Sequence, residues 1–210
     1  GATPVHAGAG FVLALVLVNA WNFMDGIDSL ADSQALLAAL AYALFAGGGY
    51  APLLRVVVGP ACAGVLPLHP FNLPRARIFL GDVGSGALGY LLAVLASLVS
   101  LRTPGRELAL LLLPLLVFGV DAALTLGRRI VRGERWWQAH AQHAYQHWAR
   151  RSGSHGRVSA GYLAASLVAV AFMFVARAYS FAGIMVVVGL SCVVACLAWW
   201  WLQGGRRRQG

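Results

Sequence analysis

The sequence has no lysine, seven acidic residues and three cysteines in 210 positions. Charged residues make up 11% of the chain against 60% hydrophobic ones, with a mean hydropathy of +0.72. So little polar surface cannot coat a soluble globule, and the chain belongs in lipid. The same scarcity changes the meaning of the net charge of +9. In a soluble protein that balance would suggest a nucleic-acid partner; here the Arg residues sit between apolar runs, where they report topology and lipid headgroups, and no nucleic acid is expected. Cys62, Cys192 and Cys196 all fall inside apolar runs, so they read as small packing residues, not as a disulfide framework or metal ligands. No basic segment with a cleavage site precedes the first apolar run, and Gly1 is no natural start, so the amino terminus reads as truncated.

What the chain has in abundance is runs near the ~20 residues that cross ~30 Å of hydrocarbon. The candidates are Val5–Met24, Gln34–Ala51, Leu53–Leu68, Val83–Leu101, Leu108–Leu126, Val158–Ala176 and Phe181–Leu202. Backbone groups in lipid must bond within their own segment, and the alternation of a barrel strand is absent, so the runs are predicted helices. The expected fold is all-α: one integral membrane domain over 1–210, a polytopic transmembrane helical bundle of about seven spans. Alternation puts loops 25–33, 69–82 and 127–157 and the tail from Gln203 on one side. That side holds Arg75, Arg77, Arg128, Arg129, Arg132, Arg135, Arg150, Arg151, Arg157, Arg206, Arg207 and Arg208; the other holds Arg55, Arg102, Arg106 and Arg177. The positive-inside rule makes the Arg-rich side, and with it the carboxy terminus, cytosolic. Trp136, Trp137 and Trp199 to Trp201 lie near that boundary, as an aromatic belt would.

The acids sort to the same side. Asp25, Asp28, Asp32, Asp82 and Glu134 fall in cytosolic loops or at their edges, Asp121 lies near the cytosolic end of its helix, and Glu107 alone is outside. The cost of burying charge in lipid accounts for interfacial position but not for clustering. The first cluster runs from Asn19 to Ala31, off the end of an apolar helix. Asn19, Asn22, Asp25 and Asp28 are spaced by three, so a helix continuing through them would stack their oxygens on one face. Helix capping is the plainer alternative, though a cap needs one such residue and not four in phase. In the second cluster, Phe79 to Gly86, glycines flank Asp82 and Ser85 at a predicted helix start. Exposed N–H groups there suit phosphate, and the Asp82 carboxylate suits Mg²⁺. In the third, His140 and His143 are three apart beside a run of Arg. Zinc would need a further close ligand; phosphate binding, or an amphipathic loop meeting lipid headgroups, are the other readings.

These residues resemble the polyprenyl-phosphate N-acetylhexosamine-1-phosphate transferases, or glycosyltransferase family 4. Asn19 to Ala31 is similar to the family's Asn-rich DG-x-DG-L-A motif, with Ser29 in place of the usual Gly, and Phe79 to Gly89 is similar to its F-x-GD-x-GS-x-x-LG motif. Asp121 to Arg129 resembles the family's Asp-bearing helix before a basic loop, and His140 and His143 resemble its histidine motif. The resemblance implies transfer of a sugar 1-phosphate from a UDP-sugar to undecaprenyl phosphate with release of UMP. It implies Mg²⁺, with Mn²⁺ as a substitute, and the cytosolic face of a bacterial inner membrane. It also implies that Asp82 and Asn22 hold the metal, that Asp25 and Asp28 position nucleotide or lipid phosphate, and that Phe79 stacks on uracil. His140 and His143 would hold the diphosphate, with Asn19, Gly84, Ser85 and Arg129 among the substrate-binding residues. A homodimer and contacts with membrane lipids are compatible with it. The family's upstream Asp-Asp pair and about four amino-terminal spans have no counterpart here, so the chain reads as the carboxy-terminal two-thirds of that architecture. The spelling H-A-Q-H resembles the branch that initiates O-antigen and other surface glycans more than the peptidoglycan branch. An ion-coupled transporter is the competing reading, resting on seven spans with Asp121 inside one; transporters place such groups near the midplane.

Overall fold

The computed structural model describes residues 3–47, 59, 80–135, 138 and 141–204, and among them there is no strand. The helices are α1 (Pro4–Met24), α2 (Leu30–Ala46) and α3 (Gly81–Ser100), then a 3₁₀ segment (Gly105–Leu115) running into α4 (Leu116–Val131), α5 (Ala144–Ser152), α6 (His155–Ala176) and α7 (Phe181–Gly204). Five stretches are long and apolar enough to cross a bilayer: α1, α3, the continuous Gly105–Val131 segment, α6 and α7. The chain is therefore a multi-pass membrane protein. At 17 residues, α2 is a shorter apolar helix of about 25 Å. It covers most of the expected span Gln34–Ala51. The span Leu53–Leu68 and Cys62 lie outside the described residues.

Local sequence explains the helix boundaries. Thr3 opens α1 as a capping box with His6, followed by Pro4 in the first turn, where its missing N–H costs nothing. Ser154 caps α6 by accepting from the Arg157 N–H at 3.4 Å. Pro114 lacks a donor inside the Gly105–Val131 span, and the tighter 3₁₀ winding of Gly105–Leu115 gives way to α-helix immediately after it.

Side-chain bonds sort the helix ends into two groups. At the near end, Ser85 Oγ donates to Asn22 Oδ1 at 3.2 Å, joining the start of α3 to the end of α1. There too Ser159 Oγ donates to the Asp28 carbonyl at 2.6 Å, and the Gln203 amide donates to the Gln142 carbonyl at 2.8 Å. At the far end, Arg177 reaches Glu107 at 3.3 Å, donates to the Phe45 carbonyl and lies 4.3 Å over the Phe45 ring. The seven arginines from Arg128 to Arg157 belong to the near end; Arg102, Arg106 and Arg177 belong to the far end.

The core lies between α1, α2, α3, the 3₁₀–α4 span and α6. Trp21 is 1% exposed, packs 4.5 Å from Phe118 and donates its indole N–H to the Ala31 carbonyl at 3.0 Å. Tyr42 donates to the Leu111 carbonyl at 2.7 Å, and Ser166 to Gln34 at 2.7 Å, so buried polar groups hold helices together where there is no water to compete. α1 and α3 cross closest at Gly89, where an added Cβ would lie 2.8 Å from the Val18 Cα. Leu190, Val194, Leu197 and Trp200 on α7 are exposed, as a lipid-facing helix requires.

Candidate active site at the near end of the bundle

The Asn-rich stretch does not continue as one helix. α1 ends at Met24 and Asp25 caps it at φ −84° and ψ 63°; the chain then turns through Gly26 to Ser29 before α2 begins. The expected stack of Asn19, Asn22, Asp25 and Asp28 along one helical face is therefore corrected. The cause is local: Gly26 is a poor helix former, Ser29 adopts a left-handed φ of 55°, and Trp21 clamps the returning chain at Ala31. Asn19 is exposed and its amide turns back to the Leu15 carbonyl at 2.7 Å, within its own helix.

The turn nonetheless brings carboxylates from different elements together. Asp25 accepts from the Gly81 N–H at the start of α3, and the charges of Asp82 on α3 and Asp32 on α2 both act on it. Burial first, then those two neighbouring charges, pushes the Asp25 carboxyl up to about 6. Asp32 was not among the expected site residues. It is 2% exposed in the first turn of α2, with Oδ1 accepting from the Ser33 N–H at 2.8 Å. Asp82 is exposed in the first turn of α3, beside half-buried Gly84 and buried Ser85, and Ser85 ties that turn to Asn22. Asp28 turns toward α6, with His155 Nδ1 at 3.3 Å from its carboxylate.

The third cluster is organised by a residue that sequence reading left out of the site. Asp121 on α4 accepts from the N–H groups of Ala144 and Tyr145 at 2.8 and 3.1 Å, from the Tyr162 hydroxyl at 2.7 Å and from the Thr125 hydroxyl at 3.1 Å. One carboxylate thus seats the N-terminus of α5, where an anion is favoured, and joins it to α6. This engagement gives Asp121 an anchoring part, which weakens one of the two grounds for a transporter. The signal for it was present, since a lone acid inside an apolar span needs named partners. His143 caps α5, is 1% exposed, and its ring lies between those of Phe23 and Tyr145 at centroid distances of 6.3 and 5.7 Å. It was expected at a diphosphate; the structure packs it at the junction of α5 with the turn after α1. Tyr145 completes that junction by donating to the Phe23 carbonyl at 3.2 Å, and burial followed by the Asp121 and Asp25 charges pushes its hydroxyl pKa upward.

Arg129, expected to bind substrate, is 5% exposed. Its guanidinium donates to Glu134 and to the carbonyls of Gln138 and Arg135 at 3.1, 3.1 and 2.8 Å, which closes the loop leaving α4. Bonds from Arg129 and Gln142 hold the Glu134 carboxyl below its ordinary range. Phe79 and His140 lie outside the described residues.

Metal fit follows from this donor set. Among the described residues no three His, Cys, Asp or Glu side chains close into a ready-made cage. Crowded acid charges beside an exposed Asp82 are nevertheless what a hard cation neutralises, and Mg²⁺ commonly takes one or two carboxylates with substrate phosphates completing its shell.

The chain is 36% identical over 169 residues to the decaprenyl-phosphate N-acetylglucosaminephosphotransferase of Mycobacterium tuberculosis (strain ATCC 25618 / H37Rv), an alignment covering 70% of this chain and 41% of the relative. It is 37% identical over 143 residues to the phospho-N-acetylmuramoyl-pentapeptide-transferase of Streptococcus sanguinis (strain SK36), covering 61% of this chain and 42% of the relative. The chain thus spans about two-fifths of the length of these relatives. No solved structure matches it. Residues 3–100, which hold the Asn-rich turn and the Gly-Asp helix start that meet at the near end, match the family described as glycosyl transferase family 4, and it is this family that the chain resembles over that stretch.

Proposed function

We propose that this chain carries part of the active site of a phosphoglycosyltransferase, which moves an N-acetylhexosamine 1-phosphate from a UDP-sugar to a polyprenyl phosphate and releases UMP. The observation that carries the reading is the meeting of Asp25, Asp32 and Asp82 from three helices beside the Asn22–Ser85 bond. Phosphoryl transfer asks little covalent chemistry of a protein; positioning and charge neutralisation supply most of the rate. Asp82, with Asn22, would hold Mg²⁺, which screens the diphosphate. Asp25 and Asp28 position the reacting phosphates, and α5 closes the side of the site through Tyr145. The excess of Arg at the near end supports a cytosolic orientation, with the lipid acceptor entering from the bilayer.

The acceptor is undecaprenyl phosphate in the reading made from the motifs, and decaprenyl phosphate is named in the mycobacterial relatives. The mycobacterial names also support N-acetylglucosamine 1-phosphate as the transferred group; a surface glycan as its destination rests on the resemblance of the histidine motif alone. Asp82→Asn tests the assignment: Mg²⁺-dependent release of UMP should be lost, and turnover at the wild-type rate would remove Asp82 from the metal site.

A further inference from the structure

We propose that the groove between α4, α6 and α7 is a binding site for an anionic phospholipid, with one acyl chain in the groove and its phosphate on Arg128 and Arg151. The cavity holds about 680 Å³ and runs along α7 from Val187 to Leu202, about 22 Å at the helical rise. Its mean cross-section is therefore about 30 Å². A section of that size along that length accommodates one extended hydrocarbon chain. Ala165, Ala195 and Ala198 form the recess, and Phe172, Leu190 and Val194 supply apolar wall. The length exceeds the ~15 Å of one leaflet, so a chain entering at the near end lies wholly within it.

The mouth is polar in one sense only. Trp148, Trp199 and Trp201 line the near end, where aromatic side chains meet headgroups. The Arg151 guanidinium stands 5.9 Å from the centre of the Trp201 ring and donates to the Leu202 carbonyl at 3.5 Å; Arg128 donates to Gln203 at 3.0 Å. Two guanidinium groups on the rim of an apolar cleft match a net-anionic phosphodiester headgroup better than one whose phosphate is balanced by its own ammonium. Asn22, Asp25, Asp28, Asp82 and Ser85 line no part of the groove, so it is separate from the candidate active site. Its one acidic lining residue is Asp121, whose oxygens accept from Thr125, Ala144, Tyr145 and Tyr162.

Native mass spectrometry of the chain in neutral detergent, titrated with phosphatidylglycerol or phosphatidylcholine of the same acyl chains, tests this. One phosphatidylglycerol should be retained in preference. The Arg128→Gln/Arg151→Gln double variant should bind it roughly 30-fold more weakly, because both positive charges that attract the headgroup phosphate are gone. Arg151→Gln alone, at an exposed position, should bind it roughly 5-fold more weakly without disturbing the bundle. Ala195→Trp, which fills the recess, should lower retention of both lipids. Equal affinity for the two lipids, or unchanged binding in both Arg variants, overturns the proposal. So does displacement of phosphatidylglycerol by equimolar undecaprenyl phosphate, which would give the groove to the acceptor.

Discussion

Gly89→Ala and Gly86→Ala lie three residues apart on α3 and should move the protein in opposite directions. A Cβ at Gly89 would meet the Leu17 carbonyl group, with its carbon at 2.7 Å, and the Val18 Cα at 2.8 Å. Ordinary carbon contacts sit at ~3.5–4.0 Å, so α1 and α3 would have to separate by about 1 Å. The obstacle is backbone, and no rotamer change relieves it. Overpacking of this kind costs about 1–3 kcal/mol. The Ser85–Asn22 bond, now 3.2 Å, lies on the same pair of helices and would stretch beyond hydrogen-bonding range. Misplacing a phosphoryl-transfer site by about 1 Å lowers turnover on the order of 100-fold. At Gly86 the nearest atom to an added Cβ is Val18 Cγ1 at 3.7 Å, an ordinary contact. Alanine there should gain up to about 1 kcal/mol from helix propensity alone. Thermal unfolding in detergent, paired with UMP release, reads both. A Gly89→Ala protein that unfolds with the wild type and keeps its turnover would refute the close crossing as what sets the site.

Four other perturbations bear on separate parts of the structure. Ser29→Gly should stabilise by about 1 kcal/mol in denaturation, since Ser29 holds φ 55° with its hydroxyl buried and unbonded. Asp121→Ala orphans two peptide N–H groups and the Tyr162 hydroxyl; a loss of about 3 kcal/mol or more is expected, with amide exchange at 144 and 145 accelerated before that of α1 or α3. Arg177→Ala leaves buried Glu107 with Arg106 as its remaining cation and should cost about 1–3 kcal/mol in unfolding. Asp25 has a folded pKa of about 6 against an ordinary 3.8, so the folded state binds more protons across that window. Without divalent cation, stability should fall as pH rises from about 4 to 6, and Asp25→Asn should flatten the slope.

Membrane residence and the positions of five of the seven expected spans were legible because run length and hydropathy are properties of contiguous sequence. So was the partnership of the Asn-rich and Gly-Asp motifs, since both lie at the same end of alternating spans. What lies beyond the last turn of α1 was not. The spacing of Asn22, Asp25 and Asp28 fits a helix, but Gly26 and a left-handed Ser29 break it, and the acids meet through α2 and α3 instead. Long-range pairings such as Asp121 with Ala144 and Tyr145, or Arg129 with its loop carbonyls, have no periodicity to reveal them. Asp121 showed as an acid in an unlikely place and as part of a family-like helix before a basic loop, without its partners; His143 and Arg129 showed as chemistry-bearing types whose burial the sequence does not record.

The far-end clasp of Arg177, Glu107 and Phe45 makes α6 a lever. This helix is 22 residues long, about 33 Å, with the clasp at one end and Ser159, which holds the Asp28 carbonyl, close to the other. Tilting it by about 2° around the clasp carries its near end through about 1 Å. Packing at the far end of the bundle therefore sets how finely the Asp28 turn is aimed, and a change in bilayer thickness would reach that turn through rotation of α6 rather than through any contact at the turn itself.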